Sequence, residues 1–222
     1  MSISSDSLKP QRVVLIGSAF KAEVVNLMQL IKQRQACYPG ISFDFIITGK
    51  GLDNARRRLN LKFAQNIHLL ILNIGSAGAI DTKIAPLTVF WPDRFYSLVD
   101  NQLKVIQTKN DFNFSEQSLT VNWKRGTLFS SATPVISTAE REKIQESYQA
   151  NAVDMEAFAY AEFCERREIP FFCLKIITDQ ADSAAETSFR ENLNASARIL
   201  AENGLSLIDV LLNKYRTETE NG

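Results

Sequence analysis

Short apolar runs alternate with amphipathic stretches along most of this chain, and they define its elements. Val13-Val14-Leu15-Ile16 is a β-rich run that ends at Gly17-Ser18. The following segment, Glu23 to Gln35, carries Val24, Leu27, Met28 and Ile31 at helical spacing and is closed by Pro39-Gly40. Ile41 to Thr48 reads as a second strand, Gly49-Lys50-Gly51 as a turn, and the next segment as a helix with Ala55 and Leu59 on its apolar side. Leu69 to Ile74 is apolar without alternation, as expected of a strand buried on both faces of a parallel sheet. It runs into Gly75-Ser76-Ala77-Gly78, which reads as a glycine-rich turn.

From Leu87 to Phe129 the pattern changes. Short β-like runs at Thr88 to Trp91, Leu103 to Ile106 and Thr127 to Phe129 follow one another without a helix between them, which predicts an antiparallel or mixed part of the same sheet. Helices are expected over Ala139 to Gln149 and Met155 to Arg167, a buried strand over Phe171 to Ile177, and an amphipathic helix over Asn192 to Leu212. Strand–helix alternation with an inserted strand-rich stretch predicts an α/β fold: a three-layer α/β/α sandwich with a central mixed sheet. No linker or repeat divides the chain, so residues 1–222 are expected to form a single domain, with 1–11 and 217–222 flexible at its ends.

Composition narrows the partners. The 222 residues are 45% hydrophobic and 23% charged, and 25 Lys+Arg balance 25 Asp+Glu. A neutral chain has no overall field to draw in nucleic acid or an anionic membrane, and neither is expected as a partner. The polar start has no apolar core of a signal peptide, and no apolar run is long enough to span a bilayer. Cys37, Cys164 and Cys173 offer neither a disulfide framework nor a CxxC pair, and His68 is the one histidine. Buried free thiols in a reducing cytoplasm are the expectation, with no structural zinc site.

Candidate chemistry collects at the carboxyl ends of the predicted strands, where open α/β sheets bind ligands. Gly75-Ser76-Ala77-Gly78 would let a ligand approach the backbone, with Ser76 as a donor. It is not a Walker A loop, because no Gly-Lys-Ser/Thr ends it. Val153-Asp154-Met155-Glu156-Ala157 places two acids around a methionine at the start of a predicted helix, where the helix dipole favours them. Ile177-Thr178-Asp179-Gln180-Ala181-Asp182 places an aspartate at the end of a buried strand, where it either caps the next turn or acts chemically.

Taken in order, Ile74-Gly75-Ser76-Ala77-Gly78, Val153-Asp154-Met155-Glu156-Ala157 and Ile177 to Asp182 resemble the purine/uridine nucleoside phosphorylase superfamily, and within it the methylthioadenosine/S-adenosylhomocysteine nucleosidases. The resemblance extends over roughly Arg12 to Leu212 and implies a nucleoside phosphorylase-like fold. It also implies hydrolysis of the N-ribosidic bond of a purine nucleoside, with a 5′-modified adenosine as substrate. By resemblance Asp179 is the acid near the purine N7 and Glu23 the base for the attacking water. Glu156 holds the ribose hydroxyls, Met155 packs on the sugar, and Ser76, Gly78, Lys175 and Thr178 complete the binding set. Asp179 must be protonated to act, so burial is expected to raise its pKa.

Four departures keep alternatives open. Lys175 stands where the nucleosidases commonly carry arginine, Thr178 where they carry serine, Pro134 in the base-contacting stretch Ser130 to Thr138 where they carry an aromatic residue, and Trp91-Pro92 where an acid-bearing strand end is usual. One alternative is a phosphate-dependent phosphorylase, with Lys21 the candidate phosphate ligand and Asn73 near a second anion position. The other is a catalytically weak nucleoside-binding protein of the same fold. Neither reaction requires a metal or an organic cofactor. The resemblance implies a homodimer with a small-molecule nucleoside as its ligand.

Overall fold

The computed structural model describes residues 12–63, 68–108 and 123–220, the last six for their backbone alone. The expected loose ends, 1–11 and 217–222, lie outside that description except for the backbone of 217–220. The elements in chain order are β1 (Arg12–Ser18), α1 (Lys21–Gln33), β2 (Ile41–Ile47), α2 (Leu52–Phe63) and β3 (His68–Ala79). There follow β4 (Val89–Val99), β5 (Gln102–Gln107), β6 (Lys124–Ser130), α3 (Thr138–Tyr148), β7 (Ala152–Asp154), α4 (Ala157–Glu165), β8 (Phe171–Asp179) and α5 (Ala185–Glu220).

The fold is the expected mixed central sheet flanked by helices. β2, β1, β3 and β8 run parallel, and their side chains alternate between two cores. On β1, Leu15 faces one core, while Val14 and Ile16 face the other. On β8, Phe171, Cys173 and Ile177 join Leu15, whereas Phe172, Leu174 and Ile176 join Val14. The first core is covered by α2 and α4, through Ala55, Leu59 and Phe158. The second is covered by α1, through Leu27 and Ile31, and by α5, through Ile208 and Leu211. Burial on both faces is why β1, β3 and β8 read as largely apolar runs, whereas β2, at the edge, is only half-buried and carries Ser42 and Asp44.

The strand-rich stretch closes one side of the sheet on itself. β8 pairs with both β3 and β4, β4 with β6, β6 with β7, and β7 back with β3. The pairings thus form a five-strand ring, and β5 extends β4 outside it as an antiparallel hairpin. β4 accommodates Pro92 with a register shift against β6 between Pro92 and Arg94, as expected of a proline at a bulge.

The structure corrects four expectations. Gly75-Ser76-Ala77-Gly78 is no turn: β3 continues through it to Ala79, paired along its length with β8. Its glycines mark close approaches instead, since a Cβ on Gly78 would lie 2.7 Å from Asp179 Oδ1 and one on Gly75 3.3 Å from Glu23 Oε1. Asp154-Met155-Glu156 does not begin a helix. Asp154 ends the three-residue strand β7, Glu156 is the cap position, and α4 starts at Ala157. The last helix starts at Ala185, ahead of the expected Asn192. Cys164 and Cys173 are buried, but Cys37 is exposed.

Candidate active site

The carboxyl ends of β1, β3, β7 and β8 converge on a cleft of about 530 Å³. All eight residues singled out from the sequence line it: Glu23, Ser76, Gly78, Met155, Glu156, Lys175, Thr178 and Asp179. Lys21, the candidate phosphate ligand, is exposed on α1 and is not among the lining residues. Asn73 is buried below the cleft, where its Nδ2 donates to the Gly17 carbonyl at 3.1 Å.

Glu23 stands in the first turn of α1, where a carboxylate suits the helix N-terminus. Its Oε2 accepts from Ser18 Oγ at 2.7 Å and from the Phe20 N–H at 3.0 Å. Its Oε1 accepts from the Ser76 N–H at 2.8 Å and from Ser76 Oγ at 2.5 Å. Those four bonds occupy about all the acceptor positions a carboxylate has. Ser18 is fully buried, whereas Ser76 faces the cleft, so the Ser76 hydroxyl is the partner a bound molecule can displace.

Glu156 is the buried cap residue of α4, and its Oε1 accepts from the Gly51 N–H at 2.7 Å. Gly51 has φ +100°, a conformation that L side chains rarely adopt, and this loop conformation turns its N–H toward the carboxylate. Burial and the neighbouring Asp154 raise the Glu156 pKa to about 7, against the opposing pull of Lys175 and the Gly51 N–H.

Beneath Glu156 lies a buried network that the sequence did not reveal. Asp154 Oδ2 pairs with Lys175 Nζ at 2.9 Å and accepts from the Ala157 N–H at 2.9 Å, while Oδ1 accepts from Ser130 Oγ at 2.5 Å. The Phe158 N–H donates to Ser130 Oγ, so the first turn of α4 is tied to β6 and β7 through two side chains. Burial opposes the charge on Lys175, but Asp154 and Glu156 outweigh it and hold its pKa above the ordinary value. The ion pair joins residues 21 positions apart on β7 and β8, and neither local pattern announces the other.

Asp179 ends β8. Its Oδ1 accepts from the Ala181 N–H at 2.9 Å and its Oδ2 from Thr178 Oγ1 at 2.8 Å. Ala181 lies at φ +48°, which folds the chain back so that its N–H reaches the carboxylate. Burial raises the Asp179 pKa, and those two hydrogen bonds only partly oppose the shift. Thr178 Oγ1 also lies 3.3 Å from the Ala77 carbonyl. Its one hydrogen can therefore go either to a charged Asp179 or to that carbonyl, leaving the hydroxyl free to accept from a protonated one.

The site thus offers an acid whose protonation burial favours, a saturated carboxylate with one displaceable partner, and a third carboxylate poised near neutral pH. Val135 and Ile136, inside the stretch expected to contact the base, stand on the Asp179 side, where Val135 packs with Ala181. Sequence reading missed Lys50, Phe189 and Arg190, which with Phe20 stand on the Glu23 and Glu156 side. The glycine pair around Lys50 was the available signal for that loop.

The family model of the phosphorylase superfamily matches residues 46–213. A Staphylococcus epidermidis 5′-methylthioadenosine/S-adenosylhomocysteine nucleosidase is 28% identical over 163 residues, covering 64% of this chain and 70% of that protein. A Staphylococcus aureus protein of the same name is 27% identical over 212 residues, covering 80% of this chain and 87% of its own. Among solved structures, Helicobacter pylori 5′-methylthioadenosine/S-adenosyl homocysteine nucleosidase complexed with a pyrrolidinol ligand superposes with a TM-score of 0.82 at 18% identity. That match covers 90% of this chain and 99% of the other. The native futalosine hydrolase of Helicobacter pylori superposes with a TM-score of 0.81 at 18% identity, covering 90% and 98%.

Proposed function

The chain belongs to the phosphorylase superfamily, and on that premise we propose that it is a nucleosidase hydrolysing the N-ribosidic bond of a 5′-modified adenosine. The observation that carries the reading is the convergence of Glu23 with Ser76, Glu156, and Asp179 on one cleft. The names of the staphylococcal relatives and of the Helicobacter structures point the same way.

The reaction follows from the three carboxyl groups. Asp179, whose protonation burial favours, donates to purine N7 as the C1′–N9 bond breaks and its electron pair moves onto the base. Positive charge develops on the ribose, and ionised Glu156 holds the sugar hydroxyls beside it. Water displaces the Ser76 hydroxyl from Glu23, attacks C1′, and yields its proton to that carboxylate. The products are free base and free sugar. General acid help of this kind accounts for roughly 10²–10⁴-fold in rate.

Hydrolysis is favoured over phosphorolysis by the position of the cations. Lys21 lies outside the cleft, Asn73 is engaged with Gly17, and Lys175 is neutralised by Asp154. A phosphate dianion beside Glu23 would meet negative charge, and none of these three residues offers it a free counter-charge. We place the protein, on the same premise, in the cytoplasm as a single-domain homodimer. Sedimentation at micromolar protein distinguishes dimer from monomer.

The test is free-base release from methylthioadenosine, adenosine and inosine, each with and without phosphate. Release from methylthioadenosine without phosphate, with free sugar as co-product, is expected. Strict phosphate dependence with ribose 1-phosphate as product would select the phosphorylase, and tight binding without release the binding protein.

A further inference from the structure

Two carboxyl groups change their protonation in the reaction above, and a hydroxyl stands beside each in the same way. Thr178 Oγ1 lies 2.8 Å from Asp179 Oδ2 and 3.3 Å from the Ala77 carbonyl. Ser18 Oγ lies 2.7 Å from Glu23 Oε2 and 3.3 Å from the Phe20 carbonyl. In both places one hydrogen has a carboxyl oxygen and a backbone carbonyl as acceptors, and a charged carboxylate is the stronger of the two.

Ser18 is fully buried and is not among the residues lining the cleft, so it reaches a bound molecule only through Glu23. Its position is fixed by its backbone. Ser18 ends β1 in register with Ile47 of β2, and its carbonyl accepts from the Thr48 N–H at 2.9 Å. Glu23, by contrast, ends in a torsion with a broad, roughly two-fold profile, about which its two oxygens can exchange places. Oε1 meets Ser76 on the cleft side, and Oε2 meets Ser18 and the Phe20 N–H. The Phe20 N–H belongs to the start of α1, the helix that carries Glu23, whereas the Ser18 hydroxyl ties the carboxylate to the sheet.

We propose that Ser18 is a positioning residue for the hydrolysis: its hydroxyl pins Oε2 of Glu23, so that Oε1 alone takes the proton of the attacking water. The inference rests on the nucleosidase reading, which makes Glu23 the base. Before attack the charged carboxylate holds the Ser18 hydrogen. As the water oxygen bonds to C1′, one of its O–H bonds breaks and the proton passes to Oε1. The carboxyl is then neutral, Oε2 is a weaker acceptor, and the Phe20 carbonyl competes for the Ser18 hydrogen. Loss of the proton from Glu23 to solvent restores the first arrangement.

The experiment is a double-mutant cycle: phosphate-free adenine release from methylthioadenosine by wild type, Ser18→Ala, Glu23→Gln and the double variant. Ser18→Ala removes a hydrogen bond to a charged group and is expected to lower kcat by about tenfold. Its KM should stay within about twofold, because Ser18 does not touch the nucleoside. In the Glu23→Gln background the same substitution should change kcat by less than about twofold. Wild-type kcat in Ser18→Ala beside a slow Glu23→Gln overturns the role of Ser18 and leaves the base assignment standing. A loss of the same size in both backgrounds also overturns it, since a merely structural serine would act without Glu23. No release by wild type, or a Glu23→Gln protein as fast as wild type, removes the hydrolysis reading or its base, and this inference with it.

Discussion

Replacing Glu156 by glutamine should stabilise the free protein at high pH while crippling it as an enzyme. Burial and Asp154 raise the Glu156 pKa from 4.5 to about 7 in the folded state. Between those values the native protein holds a proton that the unfolded chain has lost, so this group's contribution to stability falls as pH rises through the interval. Above pH 7 the accumulated cost is about 3 kcal/mol, in a chain whose whole stability is of order 5–15 kcal/mol. Glutamine keeps an oxygen for the Gly51 N–H and carries no charge, so the cost disappears. Urea unfolding of both proteins at pH 5, 7 and 8.5 is the assay. The two are expected to converge near pH 5, and the variant to exceed wild type by about 2–3 kcal/mol at pH 8.5, or about 4–12 °C in Tm. Its kcat/KM for methylthioadenosine should fall at every pH. A stability difference that does not grow with pH would refute the reasoning, because a buried ionisable Glu156 requires that slope.

Three further outcomes follow from specific contacts. Lys175→Met leaves Asp154 buried without its counter-charge and should lose about 3–5 kcal/mol in urea unfolding, whereas Lys175→Arg, which keeps the charge, should lose less; equal losses would count against the ion pair. Gly78→Ala puts a methyl group 2.7 Å from Asp179 Oδ1 and should reduce base release by more than it lowers Tm, and an unchanged rate would mean Asp179 moves without consequence. Burial lowers the His68 pKa below 6.5, so the unfolded chain takes up a proton that the folded one refuses, and stability is lost as pH falls below about 6.5. The stability of His68→Phe relative to wild type should therefore rise from pH 7 to pH 5, and a constant difference would argue against a buried neutral imidazole.

The sequence made the parallel half of the sheet legible because burial on both faces writes itself as apolar runs. β1, β3 and β8 are apparent in that way, while half-buried β2 shows instead through its β-prone residues between two turns. Its limits were local. The end of β3 is rich in glycine, which weakens any strand signal, and the reason for those glycines is a pair of carboxylates approaching from other elements. β7 spans three residues and exists only because β3 and β6 flank it. The acid and glycine motifs located the cleft, since its lining falls at strand ends. Asp154 and Lys175 were both visible as residues but not as a pair, because only the packing of β7 near β8 brings them to 2.9 Å. Lys50 carries no signal of its own beside its two glycines, since nothing local shows that its loop borders the cleft.

Asp179 carries the central claim, and adenine release from methylthioadenosine in phosphate-free buffer by wild type and Asp179→Asn tests it most directly. Asparagine keeps the acceptor for the Ala181 N–H but has no proton of suitable acidity to give. The rate should fall by at least about 10²-fold in a variant whose unfolding midpoint shows that it is folded. A folded Asp179→Asn protein that releases adenine at the wild-type rate would contradict the account.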